Sequence, residues 1–275
     1  MKLAVNYSPQ AADLLAAGRI EFDLYKTTEW PEMIALAEQQ REAYVHFPLM
    51  AGRNNLAAVT VERIQEILDT TATPYVNTHL APRATDFHME MTNHDPNIAN
   101  ELMAAMQLDT SALVEQFGAE RVILENANYD PNYDIPTVVI EPEMICRAVD
   151  ETGCGFLLDL AHARMSAAYF NLDAQDYIQR LPLHALCELH VAGTRFVESE
   201  ARLVDHYPMT DPDWMLVEWA LDNIHAGEWP EPNIVALEYG GVGGFFAANS
   251  DTAVLNHDVR RLHKLVIGTG LTVES

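Results

Sequence analysis

Short apolar runs and longer segments with helical spacing alternate along the whole chain. The apolar runs predict eight strands, at residues 3–7, 20–25, 43–47, 74–79, 121–125, 155–159, 185–190 and 233–238. Apolar residues spaced three to four positions apart predict helices at residues 30–40, 60–70, 96–117, 142–151, 174–181, 211–225 and 252–266. Alternation of this kind is typical of repeated βα units that build a parallel sheet.

The number of strands and the chain length together predict an α/β fold, a closed (β/α)8 TIM barrel. A barrel of this type uses about 250 residues as one domain, and this chain has 275. An open, doubly wound sheet is the alternative, but eight strands with helical segments after most of them fit closure better. No low-complexity or Ser/Gly-rich linker interrupts the series, and residues 131–136 are interpreted as a loop. We therefore expect a single domain over residues 1–275.

The net charge, the apolar runs and the cysteine spacing of the chain argue against several classes of partner. The chain has 41 Asp and Glu against 16 Lys and Arg, a formal charge of -25, which opposes binding to nucleic acid. Its first residues do not have the charge and apolar pattern of a signal peptide, and no apolar run reaches the ~18 residues of a membrane span. Cys146, Cys154 and Cys187 lack C-x-x-C spacing. We expect a soluble cytoplasmic protein with buried free thiols and no nucleic-acid or membrane partner.

Ionisable or imidazole side chains stand at the ends of six predicted strands. In a TIM barrel the functional groups come from the C-terminal ends of the strands and from the loops that follow. Each of these residues follows a run that must itself be buried, so all six should face the mouth of the barrel at similar depth. They are His46, His79, Glu125, Asp159, His190 and Glu238.

Crowded carboxylates at such a mouth predict bound cations. A buried carboxylate costs several kcal/mol unless it is paired or binds a metal. Imidazole and carboxylate ligands without thiolate suit iron, zinc or manganese, and three histidines with three carboxylates exceed the needs of one ion with an open position. More than one ion is therefore expected, with Glu125 and Glu238 as bridging carboxylates.

Loop residues add a second group of candidate ligands. Asp159 and His162 are three residues apart, so a helix that begins after the sixth strand would place both on one face. Asp205 and His206 are adjacent and would converge only from an irregular loop.

Other polar residues near the mouth are candidates for substrate binding. Arg83 and Arg195 follow strands and could bind a substrate carboxylate or neutralise the acidic cluster. Asn126 could hold substrate, orient a carboxylate or cap the turn after its strand. The glycine-rich stretch 240–244 is interpreted as a tight turn or lid. No lysine is expected at a strand end, which argues against a sugar isomerase.

Several short motifs in order carry a family resemblance over nearly the whole chain. They are Glu125-Asn126, 153–159 (GCGFLLD), Tyr177-Ile178, 181–183 (LPL), 188–193 (ELHVAG), Asp205-His206 and 211–214 (DPDW). This combination resembles the multinuclear non-haem iron-dependent oxidative enzymes, xylose-isomerase-like TIM barrels long known only as a domain of unknown function. The family includes the iron subunit that installs oxazolone and thioamide groups in methanobactin, and the enzyme that excises a cysteine β-carbon in a thiaglutamate pathway.

The resemblance implies a cofactor of two or three iron ions and a full ligand set. Carried over position by position, the ligands are His46, His79, Glu125, Asp159, His162, His190, Asp205, His206 and Glu238. The chain departs from the family pattern in two places. Residues 47–52 replace a Gly- and Ser-containing stretch, and many members space the late aspartate and histidine by one residue, whereas Asp205 and His206 are adjacent.

The resemblance further implies an oxidoreductase that uses dioxygen to modify a cysteine of a ribosomally synthesised peptide, in natural product biosynthesis. A second protein that binds the leader peptide is the implied partner. Two alternatives remain open on the residues alone. One is a zinc- or manganese-dependent sugar isomerase or phosphodiesterase on the same fold. The other is a non-catalytic scaffold that holds metal or peptide.

Overall fold

The fold is an α/β arrangement, seen in a computed structural model that describes residues 1–54 and 58–267, apart from the side chain of residue 245. The strands are β1 (Lys2–Asn6), β2 (Leu24–Thr27), β3 (Ala43–Val45), β4 (Met50–Ala51), β5 (Val76–Leu80), β6 (Val122–Glu125), β7 (Gly155–Asp159), β8 (Leu186–Val191), β9 (Gly193–Val197), β10 (Arg202–Tyr207) and β11 (Ile234–Leu237). The helices are α1 (Pro9–Ala16), α2 (Pro31–Ala37), α3 (Val61–Thr70), α4 (Pro96–Phe117), α5 (Pro142–Thr152), α6 (Leu160–Tyr169), α7 (Ala174–Ile178), α8 (Asp211–His225), α9 (Gly244–Ala248) and α10 (Thr252–Ile267).

One curled parallel sheet has the order β3-β2-β1-β11-β8-β7-β6-β5-β4. The first and last barrel strands pair, with Val5 of β1 opposite Leu237 of β11. The two end strands, β3 and β4, are consecutive in the chain. The Asn77 side chain of β5 reaches the segment between them, and its Oδ1 accepts the backbone amide of Phe47 over 2.7 Å. The predicted α/β TIM-barrel class is confirmed, and all eight predicted strands are present.

The strands are apolar because the sheet is covered on both faces. All four residues of β6 and all four of β11 are buried. Near-continuous apolar runs are the expected sequence of parallel strands that lie between a barrel interior and an outer layer of helices. A long outer helix, α4, begins with Pro96 and has the Asp95 side chain as N-cap acceptor for the amide of Asn97. These features explain why its predicted bounds are those observed.

An antiparallel hairpin, β9–β10, follows β8 directly and is absent from the predicted elements. Its sequence resembles a loop because its residues are mostly polar and half-buried, without clean alternation. The hairpin packs against α6, which follows β7. It therefore lies at the C-terminal edge of the sheet, where it carries Asp205 and His206.

The buried Asp213 side chain anchors this hairpin to α8. It accepts hydrogen bonds from the Thr194 amide and hydroxyl at 3.2 and 2.9 Å, and from the Thr210 amide at 2.8 Å. It also pairs with Arg164 of α6. We expect Asp213→Ala to lower the free energy of unfolding by roughly 3 to 5 kcal/mol, because it leaves a partly buried guanidinium without its partner. Urea denaturation measures this loss.

Asp211→Ala is the matched control, since Asp211 is exposed in the same helical turn. Its loss should cost less than about 1 kcal/mol, the size of a helix-dipole interaction. Equal losses in the two variants would contradict the anchoring role of Asp213.

The three cysteines are free, but only Cys154 is buried and the other two are half-buried. Among the described residues, no helix combines the length and apolarity needed to cross a membrane.

Candidate metal centre

The six strand-end residues converge at one edge of the sheet. Strand register explains this: His79 lies opposite Glu125, and Asp159 lies opposite His190. Paired residues of parallel strands lie at the same height, so their side chains share one layer of the barrel mouth. With the three loop candidates they form what we call the mouth cluster: His46, His79, Glu125, Asp159, His162, His190, Asp205, His206 and Glu238.

Glu125 is the centre of the mouth cluster and is only 1% exposed. Its Oε2 lies 3.1 Å from His79 Nε2 and 3.4 Å from His46 Nε2. Its Oε1 lies 3.6 Å from His162 Nδ1. One carboxylate therefore faces three imidazoles with its two oxygens on different sides, which is the arrangement of a bridging ligand.

Asp159 and His162 meet because α6 begins immediately after β7. Asp159 is the N-cap of this helix, and its Oδ1 accepts the backbone amide of His162 over 2.7 Å. The His162 Nε2 atom lies 3.2 Å from Asp205 Oδ2. The spacing of three residues thus brings both side chains to one place.

A bulge in β10 brings Asp205 and His206 to the same cluster although they are adjacent. On a regular strand, neighbouring side chains point to opposite faces. Here the register shifts between Val204 and Tyr207, and His206 has a left-handed backbone with φ of 59°. Its Nδ1 lies 3.8 Å from Glu238 Oε2. The expected irregular loop is therefore an irregular strand.

Lys26 is a residue of this site that the sequence pattern does not reveal. It lies near the end of β2, is 6% exposed, and forms an ion pair with Glu238 Oε1. Its Nζ is 3.4 Å from His190 Nδ1. Burial lowers the pKa of Lys26 to about 8, although Glu125 and other carboxylates oppose this shift. The expectation that no lysine stands at a strand end is wrong, because the predicted strand stops at residue 25, two residues before the observed end of β2 at Thr27.

Glu188 is the second missed residue, and it orients His190. The two residues lie two apart on β8, so their side chains share a face. Glu188 Oε1 accepts from His190 Nε2 at 2.7 Å and from the Tyr44 hydroxyl at 3.1 Å. Burial raises the pKa of Glu188 to about 7. Alternation along the strand is the signal that could have identified it.

Burial sets the protonation of the imidazoles. It lowers the pKa of His46 and of His190 well below the usual value, and the neighbouring Lys26 charge acts in the same direction. For His162 burial also acts downward, but Asp159 and Asp205 outweigh it and raise its pKa to about 10. Neutral imidazoles keep the lone pair that a metal ion needs, and an ion next to His162 would replace its proton.

The chemistry of the cluster fits metal ions. Glu125 Oε2 and Asp159 Oδ2 are fully buried and have no hydrogen-bond partner among the described residues. Buried acceptors without partners are costly, and a bound cation would satisfy both oxygens. Side-chain groups with suitably close ligand atoms are His46/His79/Glu125, Glu125/Asp159/His162, Asp159/His190/Glu238 and His46/Glu188/His190.

A cavity of about 270 Å³ opens onto the cluster. Its polar wall includes His46, His79 and Glu125. The remaining wall consists of Asn6, Tyr7, Thr27, Thr28, Met33, Gly240, Gly241, Val242 and Phe246, together with Lys26, His162, His206 and Glu238. An ion held by the cluster would thus have one side open to a small molecule or a side chain.

The glycine-rich stretch forms a tight turn at the rim of this cavity. Gly241 has a φ of 153°, and a Cβ atom there would lie 2.9 Å from the Cβ of Phe246. Glycine lets the chain pass this close before α9 begins.

The three candidate substrate-binding residues do not line the cavity. Arg83 is exposed, and Arg195 is exposed on β9 with its guanidinium 5.5 Å from the Tyr207 ring centre. The side-chain amide of Asn126 forms two hydrogen bonds with the backbone of Asp159. Asn126 Oδ1 accepts from the Asp159 backbone amide over 2.8 Å, and Asn126 Nδ2 donates to the Asp159 carbonyl over 3.0 Å. Asn126 therefore holds the backbone of Asp159 in place, and that it orients the Asp159 carboxylate in this way stays a prediction.

We expect Asn126→Ala to weaken metal binding about 10- to 100-fold, the usual effect of removing a group that orients a ligand. Isothermal titration with a divalent metal measures it. Asn132→Ala, on the exposed turn after β6, is the control and should bind as wild type does. Unchanged affinity in Asn126→Ala would contradict its positioning role.

Comparisons with known proteins agree with this geometry. Residues 39–230 match the family model described as RiPP precursor modification enzyme MbnB/TglH/ChrH. This segment contains every mouth-cluster residue except Glu238. A UPF0276 protein of Bordetella pertussis is 30% identical over 154 residues, 51% of this chain and 53% of that protein. One of Acaryochloris marina is 24% identical over 161 residues, 58% of this chain and 57% of that protein. The chain spans about half the length of the curated relatives it matches.

Two solved structures share the fold. A sugar phosphate isomerase/epimerase from Parabacteroides distasonis superposes with a TM-score of 0.54 at 11% identity, covering 96% of this chain and 98% of the other. A xylose isomerase-like TIM barrel/4-hydroxyphenylpyruvate dioxygenase fusion protein gives 0.55 at 15% identity, covering 96% of this chain and 44% of the other. The predicted xylose-isomerase-like barrel is thus confirmed.

Proposed function

The chain belongs to the RiPP precursor modification enzyme family MbnB/TglH/ChrH, and from this premise we propose that it is a non-haem iron-dependent oxidase or oxygenase. Its substrate would be a ribosomally synthesised peptide, and the reaction would modify a cysteine of that peptide with dioxygen. Two or three ions would be held by side chains drawn from the mouth cluster. A leader-peptide-binding protein is proposed as its partner.

One observation supports the proposal above the others: buried carboxylate oxygens without a hydrogen-bond partner stand among imidazole rings, beside an open cavity. Nitrogen and oxygen ligands without thiolate suit iron, and they leave a position for a thiolate from outside the protein. Iron bound here would supply coordination for the substrate thiolate and for dioxygen. The free cysteines of the chain lie outside the cavity wall.

The rest of the cavity suits a peptide side chain with its flanking backbone. Tyr7, Met33 and Phe246 give it apolar walls, which would limit the access of water to a reacting sulfur. Asn6 donates through Nδ2 to the Gly240 carbonyl over 3.2 Å, which fixes the turn at the rim. These residues would position the cysteine, while Glu125 and the histidines would hold the ions in place.

A peptide assay tests the proposal. The protein is purified without oxygen, loaded with ferrous iron, and given synthetic cysteine peptides and the same peptides with serine. We expect a mass change on cysteine peptides alone, dependent on both iron and dioxygen. Equal modification by iron-free protein, or full turnover with zinc in place of iron, would overturn it.

Lys26 favours a second candidate, a manganese- or zinc-dependent isomerase of a sugar-like substrate. A buried ammonium at a strand end beside carboxylates could polarise a substrate carbonyl, and Lys26 lines the cavity. Aldose–ketose interconversion by the manganese-loaded protein, with no change in any cysteine peptide, would favour this candidate over the first.

A further inference from the structure

The Lys26 ammonium lies against two members of one candidate metal group. Its ammonium group contacts Glu238 Oε1 and His190 Nδ1, two atoms that themselves are 3.1 Å apart. Asp159, His190 and Glu238 form one of the groups whose ligand atoms are close enough to share an ion. The ammonium therefore stands between two of the three ligands of that group.

His190 has no free ring nitrogen. Its Nε2 is bonded to Glu188, and its Nδ1 faces the Lys26 ammonium. Both candidate metal groups that lack Glu125 depend on His190. The two groups that share Glu125, namely His46/His79/Glu125 and Glu125/Asp159/His162, do not include it. Only these two keep their ligand atoms unobstructed by the ammonium.

Charge balance also favours two ions at the groups that share Glu125 over a third ion at the groups that depend on His190. Five buried or nearly buried carboxylates face this region, from Glu125, Asp159, Glu188, Asp205 and Glu238. When all are ionised, one ammonium and two divalent ions neutralise them. A third divalent ion would add positive charge directly beside the ammonium, and like charges at contact distance repel strongly in a buried site.

We propose that Lys26 acts as a built-in cation that takes the place of one metal ion, so that the chain holds a two-ion centre at the groups sharing Glu125. This inference rests on the proposed metal centre and specifies how many ions it holds. Lys26 lies outside the segment matched by the family model, which begins at residue 39. It is a positioning residue that restricts the ions to one half of the mouth.

Native mass spectrometry of protein loaded anaerobically with excess ferrous iron tests the inference. Wild type should carry about two ions per chain, and Lys26→Met should carry about three, because removing the ammonium frees His190 and Glu238. Lys26→Gln, which keeps a polar side chain, serves if the methionine variant does not fold. Lys264→Met, on the exposed side of α10, is the control and should match wild type.

The outcomes separate this inference from the proposed function. The same number of ions in wild type and both Lys26 variants overturns the role of Lys26 and leaves the metal centre intact. Three ions in wild type also overturn it. No bound ions in any variant overturn the metal centre and this inference with it.

Discussion

Glu125→Gln should abolish iron-dependent turnover and remove metal from the purified protein. Glu125 belongs to two of the ligand groups, and its oxygens approach His46, His79 and His162. Glutamine keeps the size of the side chain but has no charge and only one acceptor oxygen. Removing a group that merely orients a ligand costs about 10- to 100-fold, so losing a bridging ligand should exceed about 100-fold. Metal analysis and turnover of a cysteine peptide measure the two effects.

Glu115→Gln is the matched control, since Glu115 is exposed on α4 away from the mouth. It should retain wild-type metal content and turnover. A Glu125→Gln protein with full metal content and turnover would contradict the role of Glu125 as a metal ligand.

Removing the metal should lower the thermal stability of the wild-type protein substantially. The unloaded cluster leaves Glu125 Oε2 and Asp159 Oδ2 buried without partners, and bound ions relieve that cost. Ligand at about 1,000 times its dissociation constant stabilises the folded state by about 4 kcal/mol. In a chain of roughly this size that corresponds to about 8 to 16 °C in Tm. Calorimetry before and after chelation, with metal content measured on both samples, gives the shift.

The same chelation applied to Glu125→Gln should change its Tm by only a small part of that amount, because its centre is already impaired. An identical Tm for metal-loaded and metal-stripped wild type would contradict a metal that supports the fold.

The strands and the strand-end residues could be predicted because one physical rule governs both. Parallel strands are buried on two faces, so their apolar runs stand out, and a charged residue that ends such a run lies at the mouth of the barrel. Glu125 and Glu238 are identifiable in this way from the amino-acid pattern alone. The rule requires no knowledge of which strands are neighbours, since every strand of a barrel ends at the same rim.

Lys26 and the β10 bulge could not be predicted because neither follows from periodicity. Lys26 follows the apolar run of its strand, and a lysine there is normally exposed. Tertiary pairing with Glu238 and the nearby carboxylates, Glu125 first, offset the cost of its burial. The bulge depends on a left-handed backbone at His206, which no residue type in the hairpin demands. Substrate-binding residues are difficult for the same reason, because cavity walls such as Met33 and Phe246 look like ordinary core or surface residues.

Anomalous diffraction at the iron edge, on crystals of protein loaded with ferrous iron without oxygen, would locate the ions of the mouth cluster. We expect strong anomalous peaks inside the mouth cluster, within coordination distance of a Glu125 oxygen and of ring nitrogens of His46 or His79. A map without a peak there, from crystals that contain iron, would show that these imidazoles and carboxylates gather for another reason.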